Sequence, residues 1–100
     1  MNIEFLEIAK VEFDEAMFFY ELEQDGLGER FKEEVRHAID RIQRFPDAWP
    51  VERGAIRKCF VHTFPYKILY AIEDDCLVIL AIAHQHRQPD YWLDRFKGRS

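Results

Sequence analysis

The stretch Ile56–His84, which reads IRKCFVHTFPYKILYAIEDDCLVILAIAH, decides the fold of this chain. It contains three runs of strand length, Ile56–Thr63, Tyr66–Glu73 and Cys76–His84. The pairs Phe64-Pro65 and Asp74-Asp75 separate these runs, and both pairs are typical of turns. Because connections this short join consecutive strands as hairpins, the stretch predicts a three-stranded antiparallel meander.

Two amphipathic helices are predicted ahead of the meander. The first begins at about Glu7 and ends near Asp25-Gly26-Leu27-Gly28, and its apolar stripe consists of Ala9, Phe13, Ala16, Met17 and Tyr20. The second spans about residues 28–45 and ends before Pro46, and its stripe consists of Phe31, Val35, Ala38, Ile39, Ile42 and Phe45. Two helices joined by so short a loop form an antiparallel hairpin.

The remaining segments complete a single domain over residues 1–100. Met1–Leu6 is predicted as a short edge strand, residues 47–50 as a linker, and the C-terminus as a short helix. The fold class is therefore α+β, in the order β-α-α-β-β-β with a short C-terminal helix, and the helical hairpin packs on a small antiparallel sheet.

Two-residue turns would also fix the register of the meander, with Thr63 opposite Tyr66 and Glu73 opposite Cys76. The face that this register turns away from the helices carries Lys58, Phe60, His62, Lys67, Leu69 and Ala71, joined by His84 and His86 at the end of the last strand. The more apolar face, expected beneath the helices, carries Cys59, Val61, Ile68, Tyr70 and Ile72. The same register separates Cys59 from Cys76, so both thiols are expected to be free.

Charge is distributed unevenly along the chain, whose formal net charge is −5. Residues 1–50 carry 13 acidic and 6 basic side chains, whereas residues 51–100 carry 6 acidic and 8 basic ones. An anionic ligand is therefore expected to meet the second half. The longest apolar run, Cys76–Ala83, is far shorter than the roughly 18 residues of a membrane span, and Glu4, Glu7 and Lys10 interrupt any export signal. A cytoplasmic protein without membrane contact is the expectation.

A cluster of basic and imidazole side chains is the main candidate site. Three predicted strands contribute Lys58, His62, Lys67, His84 and His86, and the last segment adds Arg87, Tyr91 and Arg95. Lysine and arginine stabilise phosphate charge, and histidine exchanges protons near neutral pH, so the cluster suits a phosphate backbone. The alternative is an ordinary solvated sheet face.

Other chemistry has less support. His84-Gln85-His86 has no third ligand at a diagnostic spacing, so no metal and no cofactor are predicted. The acids of the first helix are interpreted as a solvated face: Glu12, Asp14, Glu15, Glu21 and Glu23. The aromatic residues Trp49, Tyr91 and Trp92 could either cover the sheet or stack on a base.

The order of these elements resembles the RelE/ParE superfamily of type II toxin-antitoxin toxins, often labelled plasmid stabilisation proteins. The resemblance covers nearly the whole chain. It includes the helix stretch Glu15-Ala16 to Tyr20-Glu21, the Gly26-Leu27-Gly28 turn with Phe31, and Phe64-Pro65-Tyr66-Lys67-Ile68 leading to Tyr70. Its most specific part is LAIAHQHRQPDYW at residues 80–92, followed by Arg95.

One branch of this superfamily implies a metal-independent endoribonuclease that cuts ribosome-bound mRNA and arrests growth. By position, Lys67 and Tyr91 resemble catalytic residues of that branch, while Lys58, His62 and Arg95 would bind RNA. Phe60 and Gln85 stand where some members have a lysine and an arginine. His84 or His86 would then act as base or acid, and Arg87 would stabilise the phosphorane charge.

The other branch, resembling ParE, implies a toxin that inhibits DNA gyrase and is not an enzyme. The basic cluster would then be a docking surface. A third alternative is an inactive copy that only binds a partner.

Every branch implies a cognate antitoxin that is mostly disordered when free and wraps around the toxin. Phe18, Phe19 and Leu22 lie partly off the buried stripe of the first helix and are the candidate antitoxin-binding residues. The alternative is that they complete the packing of the helix.

Overall fold

A computed structural model describes residues 1–97 and confirms the α+β fold class. Its elements are β1 (Asn2–Phe5), α1 (Glu7–Glu23), α2 (Leu27–Arg44), β2 (Val51–Arg53), β3 (Ile56–Phe60), β4 (Tyr66–Glu73), β5 (Cys76–His84) and α3 (Leu93–Lys97). The short N-terminal strand, the helical hairpin and the C-terminal helix all form as the sequence predicts. The additional strand β2 was not predicted, because three residues are too few to show a strand pattern.

The five strands form one sheet in the order β1-β5-β4-β3-β2. The predicted meander β3-β4-β5 is antiparallel, but β1 pairs with β5 in parallel, so the sheet is mixed. The turn between β4 and β5 has the predicted length: Glu73 pairs with Cys76, and both aspartates between them adopt positive φ angles of 47° and 63°. This is the backbone that a two-residue hairpin requires.

The loop between α1 and α2 depends on two glycines and one carboxylate. Gly26 has a φ angle of 86°, and a Cβ atom on Gly28 would lie 2.6 Å from the backbone oxygen of Met17. The Glu21 carboxylate accepts the backbone N–H groups of Gly26 and Gly28 at 2.9 and 3.0 Å. The two helices therefore approach closely, and the exposed Glu21 of α1 also holds the loop through its carboxylate.

The main core lies between the helices and the face of the sheet predicted to lie beneath them. Cys59, Val61, Ile68 and Tyr70 are buried there as predicted, together with residues of both helical stripes. Ile72 is the exception, since it is exposed near the end of its hairpin. The Cys59 and Cys76 thiols are free, as expected.

The register between β3 and β4 differs from the predicted one by two residues. Cys59 pairs with Ile68 instead of Tyr70, because the Val61 N–H donates to the Tyr66 carbonyl and residues 62–65 form a longer loop. Thr63 lies in this loop, not opposite Tyr66. A shift of two residues keeps every side chain on its predicted face, which is why the face assignments of β3 and β4 survive.

The register between β4 and β5 contains a β-bulge that changes the position of His84. Leu69 pairs with Ala81 and Tyr70 pairs with Ile79, so Leu80 has no opposite residue. One extra residue inverts the alternation of side chains beyond it. Ile82 therefore packs in the core beneath the helices, and His84 follows on that same side. The expectation that His84 shares the outward face with Lys58 and Lys67 is wrong.

The outward face is also less exposed than expected. Leu69 and Ala71 are buried there in a second apolar cluster, packed with Ile56, Leu80, Ala81 and Trp92. Trp92, which is 1% exposed, covers the sheet and is not available as a stacking platform for a base. The C-terminal segment that contains Trp92 thus forms a third layer over the middle of the outward face.

Candidate functional site

The candidate site lies where β5 ends and the chain turns toward the C-terminal segment. The backbone N–H of Gln85 donates to the Pro65 carbonyl, and that of Arg87 donates to the His84 carbonyl. The His84 ring lies 5.1 Å from the Tyr66 ring and 5.1 Å from the His86 ring, measured between centroids. His84 Nδ1 accepts the backbone N–H of His86 at 3.0 Å, so Nε2 is the ring nitrogen left to contact a ligand.

An ion pair closes the edge of β5 beside this turn. β1 stops pairing with β5 at Ile79, so within residues 1–97 no strand pairs with the backbone groups beyond it on that edge. The Glu12 carboxylate accepts the Ile82 N–H at 3.0 Å, and Arg95 donates to the Leu80 carbonyl at 3.1 Å. Glu12 and Arg95 thereby satisfy the backbone that a longer β1 would have paired.

Three donors converge on the side chain of Glu12 in addition to that backbone group. Arg95 donates from both terminal nitrogens, at 2.8 and 2.9 Å, and the Tyr91 hydroxyl donates at 2.7 Å. The side chains of Glu12 and Arg95 are only 13% and 15% exposed. The interpretation of Glu12 as part of a solvated helix face is therefore wrong, because its carboxylate anchors the C-terminal segment.

This network determines what Tyr91 and Arg95 can do. Burial raises the pKa of Tyr91, and the hydrogen bond to the Glu12 carboxylate raises it further. The pKa of Arg95 is raised as well, since its pairing with Glu12 outweighs the effect of burial. The Tyr91 phenol consequently keeps its proton at neutral pH, and Arg95 has its charge balanced inside the protein. The Arg87 guanidinium lies over the Tyr91 ring, 4.0 Å from its centroid.

A second carboxylate binds the two lysines of the outward face. Glu52 accepts Lys58 at 3.2 Å and Lys67 at 3.3 Å, and all three side chains are partly buried. Burial opposes the ionisation of Glu52, but the hydrogen bonds and charges of both lysines outweigh it and hold its pKa below the ordinary value. Sequence reasoning missed Glu52, which lies in the short strand β2.

Two depressions flank the turn that follows β5. The larger, of about 290 Å³, is lined by Phe19, Tyr66, His84, Arg87 and Tyr91, with four further residues of α1 and β5. The smaller, of about 100 Å³, lies on the Lys67 side and shares His84, Arg87 and Tyr91 with the larger one. The two depressions thus bring together four predicted catalytic residues, Lys67, His84, Arg87 and Tyr91. Lys58 and His62 line neither depression, and His62 is exposed on the loop after β3.

The predicted antitoxin-binding residues are solvent-exposed. Phe18, Phe19 and Leu22 are 66%, 54% and 72% exposed, so they do not complete the packing of α1. Their role in binding stays a prediction.

Residues 1–97 lack the features that would indicate a metal site or a membrane-spanning helix. Within that range, no three histidine, cysteine, aspartate or glutamate side chains are grouped as metal ligands would be. None of the helices in the same range is long and apolar enough to span a membrane.

Comparison with known proteins identifies a family and a related fold. The family described as the ParE toxin of the type II toxin-antitoxin system, parDE, matches residues 3–89. A solved structure described as the chromosomal ParDE toxin-antitoxin system from P. aeruginosa is similar in fold, with a TM-score of 0.68 and 16% sequence identity. The match covers 84% of this chain and 95% of that one. A comparison with curated proteins gave no match.

Proposed function

Because the chain belongs to the ParE toxin family of type II toxin-antitoxin systems, we propose that it inhibits DNA gyrase by binding it and is not itself an enzyme. A cognate antitoxin would neutralise it in the cytoplasm. This proposal takes up the ParE-like alternative of the sequence analysis in preference to the ribonuclease.

The observation that carries the proposal is the internal pairing of the candidate catalytic groups. Lys58 and Lys67 share the Glu52 carboxylate, and Arg95 and Tyr91 share the Glu12 carboxylate. A ribonuclease needs cations directed at the scissile phosphate and a group that accepts the ribose hydroxyl proton. Groups that are paired with carboxylates of the same chain stabilise the fold of this surface, and they are poorly placed to bind a phosphate or transfer a proton.

Arg87 is the cation that we place at the centre of the docking surface. It contacts the Tyr91 ring, lines both depressions, and follows the two histidines at the end of β5. A guanidinium on an aromatic ring at the edge of a pocket is typical of an anchor residue in a protein interface.

One observation favours a ribonuclease as the second candidate function. His84, His86 and Arg87 are adjacent, and they are the predicted catalytic residues outside the two carboxylate networks. A histidine and an arginine are sufficient in kind for proton transfer and phosphorane stabilisation.

Two assays on one preparation distinguish these functions. The purified chain is added to a gyrase supercoiling reaction and to a cell-free translation reaction in which mRNA 5′ ends are mapped by primer extension. The expected result is inhibition of supercoiling with intact mRNA. New cuts that appear only on translated mRNA, with gyrase unaffected, would replace the proposal by the ribonuclease.

Variants test the placement of the surface. Arg87→Ala should weaken gyrase inhibition by about 10-fold or more, as expected for the loss of an interface anchor. Arg36→Ala, on the exposed side of α2, is the matched control and should leave inhibition unchanged. Equal inhibition by the wild-type chain and Arg87→Ala would place the docking surface elsewhere.

A further inference from the structure

A depression of about 240 Å³ opens between β1 and the two long helices. Ile3 and Phe5 line it from β1, because alternate residues of a strand lie on one face of the sheet. Val35 and Ile39 line it from α2, where residues four apart lie on one face of the helix. The lining is completed by Phe13 of α1 and by Lys32 and Arg36 of α2. We call this depression the β1 groove.

The apolar wall of the β1 groove is fixed by the main core. Val35 is 1% exposed, and Phe5, Phe13 and Ile39 pack against the buried residues of that core. The Phe5 and Phe13 rings are stacked, with their centroids 6.1 Å apart and their planes inclined by 14°. Ile3 is 43% exposed and borders the groove toward solvent. An apolar ligand would therefore meet a wall that is already formed, as in most small-molecule sites.

Lys32 distinguishes this groove from an ordinary apolar depression. Its side chain is partly buried, and within residues 1–97 its ammonium forms no hydrogen bond and no ion pair. Arg36, one turn further along α2, lies 3.5 Å from Glu33, which partly balances its charge. Like charges four residues apart on a helix repel each other, so Lys32 and Arg36 make the polar end of the groove positive. An anionic group bound there would supply the counterion of Lys32 and relieve this repulsion.

We propose that the β1 groove binds a small amphiphilic carboxylate. Its aliphatic chain, of about eight carbons, lies along Phe5 and Phe13, and its carboxylate pairs with Lys32. The volume sets the size of the ligand, because sites for drug-sized molecules are larger, at roughly 300–1,000 Å³. The charge sets its class, because a cationic head group would face Lys32 and Arg36, and a neutral one would leave Lys32 without a counterion. The site is independent of the proposed function, since it shares no lining residue with the two depressions beside Arg87.

A second copy of the chain is disfavoured as the occupant of the β1 groove. In a symmetric dimer through the groove, Lys32 and Arg36 would approach the same two cations of the other copy. Repulsion between like charges across an interface opposes such association. A small anion instead lowers the positive charge at the groove.

The test is an NMR titration of the full-length, isotope-labelled chain with sodium octanoate. The backbone amide signals of β1 and of residues 32–39 should shift most, with a dissociation constant of about 1 mM or tighter. The affinity should rise by about 4-fold for each CH₂ group added from hexanoate to octanoate, because each group is removed from water. Octanol, which has the same chain without the charge, should bind at least about 10-fold more weakly than octanoate.

Three variants separate the contribution of the head group from that of the chain. Lys32→Met keeps an unbranched side chain but removes the charge, so octanoate should bind about 10-fold more weakly while octanol binds as before. Arg44→Met is the matched control, since it removes an exposed cation of the same helix outside the groove, and it should change affinity by less than about 2-fold. Ile3→Trp places a larger side chain at the exposed border of the groove and should weaken both ligands by about 10-fold. The amide spectrum of each variant should keep the wild-type dispersion, which shows that the variant is folded.

Several results would overturn the proposal. They are the absence of amide shifts at about 10 mM octanoate, shifts spread over the whole chain, or equal affinities for octanoate and octanol. A homodimer that Ile3→Trp dissociates, measured by light scattering, would assign the groove to a second copy of the chain. If octanoate shifts no signal while the purified antitoxin of the same module shifts the amides of β1 and residues 32–39, the groove belongs to a protein partner instead. Gyrase inhibition by the wild-type chain is a separate measurement and decides only the proposed function.

Discussion

Replacing Glu12 with alanine removes the acceptor of four hydrogen bonds at once. Arg95, whose side chain is only 15% exposed, would lose its partner, and the Tyr91 hydroxyl and the Ile82 N–H would lose their acceptor as well. Breaking a buried ion pair by removing one partner costs about 3–5 kcal/mol. Because the pair keeps some contact with solvent, the lower end applies, and we expect a loss of about 3 kcal/mol in the free energy of unfolding.

The measurement is urea unfolding followed by tryptophan fluorescence, since Trp92 belongs to the segment that Glu12 anchors and is buried against the sheet. A domain of this size has a total stability of roughly 5–15 kcal/mol, so the expected loss is large. It corresponds to a fall in melting temperature of about 12–24 °C. Glu7→Ala is the matched control: Glu7 is 89% exposed and 3.5 Å from Lys10, and its loss should change stability by less than about 0.5 kcal/mol.

A second substitution tests the reasoning about the pair. Glu12→Leu combined with Arg95→Met removes both charges and should be less destabilising than Glu12→Ala, because no uncompensated charge stays buried. The Ile82 N–H still lacks its acceptor, so full recovery is not expected. A loss below about 1 kcal/mol for Glu12→Ala, in the range of an exposed pair, would refute the anchoring role of Glu12.

Two further predictions concern alkaline pH and backbone strain. Burial raises the pKa of Tyr70 to about 12, and burial together with Glu12 raises that of Tyr91, so both phenols keep their protons in the folded chain at pH values where the unfolded chain loses them. Their contribution to stability is complete below the unfolded pKa of about 10 and is lost as the pH rises from there through the folded values, so urea unfolding should show a decline from about pH 10 to 12 that is shallower in Tyr91→Phe. Thr63 is β-branched and has a φ angle of 76°, and relieving that strain by Thr63→Gly should stabilise the chain by up to about 1 kcal/mol after the entropy cost of glycine. Thr63→Ala keeps the strained backbone and is the control, and destabilisation by Thr63→Gly would show that the Thr63 side chain makes a contribution larger than the strain.

The sequence predicted those elements whose pattern is local. Helix α1 begins at Glu7, and β4 and β5 have their predicted bounds, because the stripes and the two-aspartate turn are visible over short windows. The bulge at Leu80 has no such signal, since Leu80 lies inside an unbroken apolar run in which either register buries an apolar side chain. For β5, the predicted side-chain faces therefore fail beyond the bulge, at His84.

The two carboxylate networks could not have been predicted for a related reason. Glu12 has the same sequence context as its exposed acidic neighbours in α1, and its partners Tyr91 and Arg95 follow 79 and 83 residues later. Burial of a carboxylate is decided by such distant donors and not by helical periodicity. A usable signal was present at the other end of the chain, because Tyr91 and Arg95 are four residues apart and a helical turn would direct both toward one acceptor.

These networks change how loss of toxicity should be interpreted. Substitution of Tyr91 or Arg95 releases the C-terminal segment from Glu12, so an inactive variant at either position reports on folding before it reports on catalysis. Arg87 is different, because its guanidinium contacts the face of the Tyr91 ring at the protein surface. Loss of toxicity with Arg87→Ala at an unchanged unfolding free energy therefore assigns Arg87 a role in function rather than in folding, and the same loss with Arg95→Ala does not.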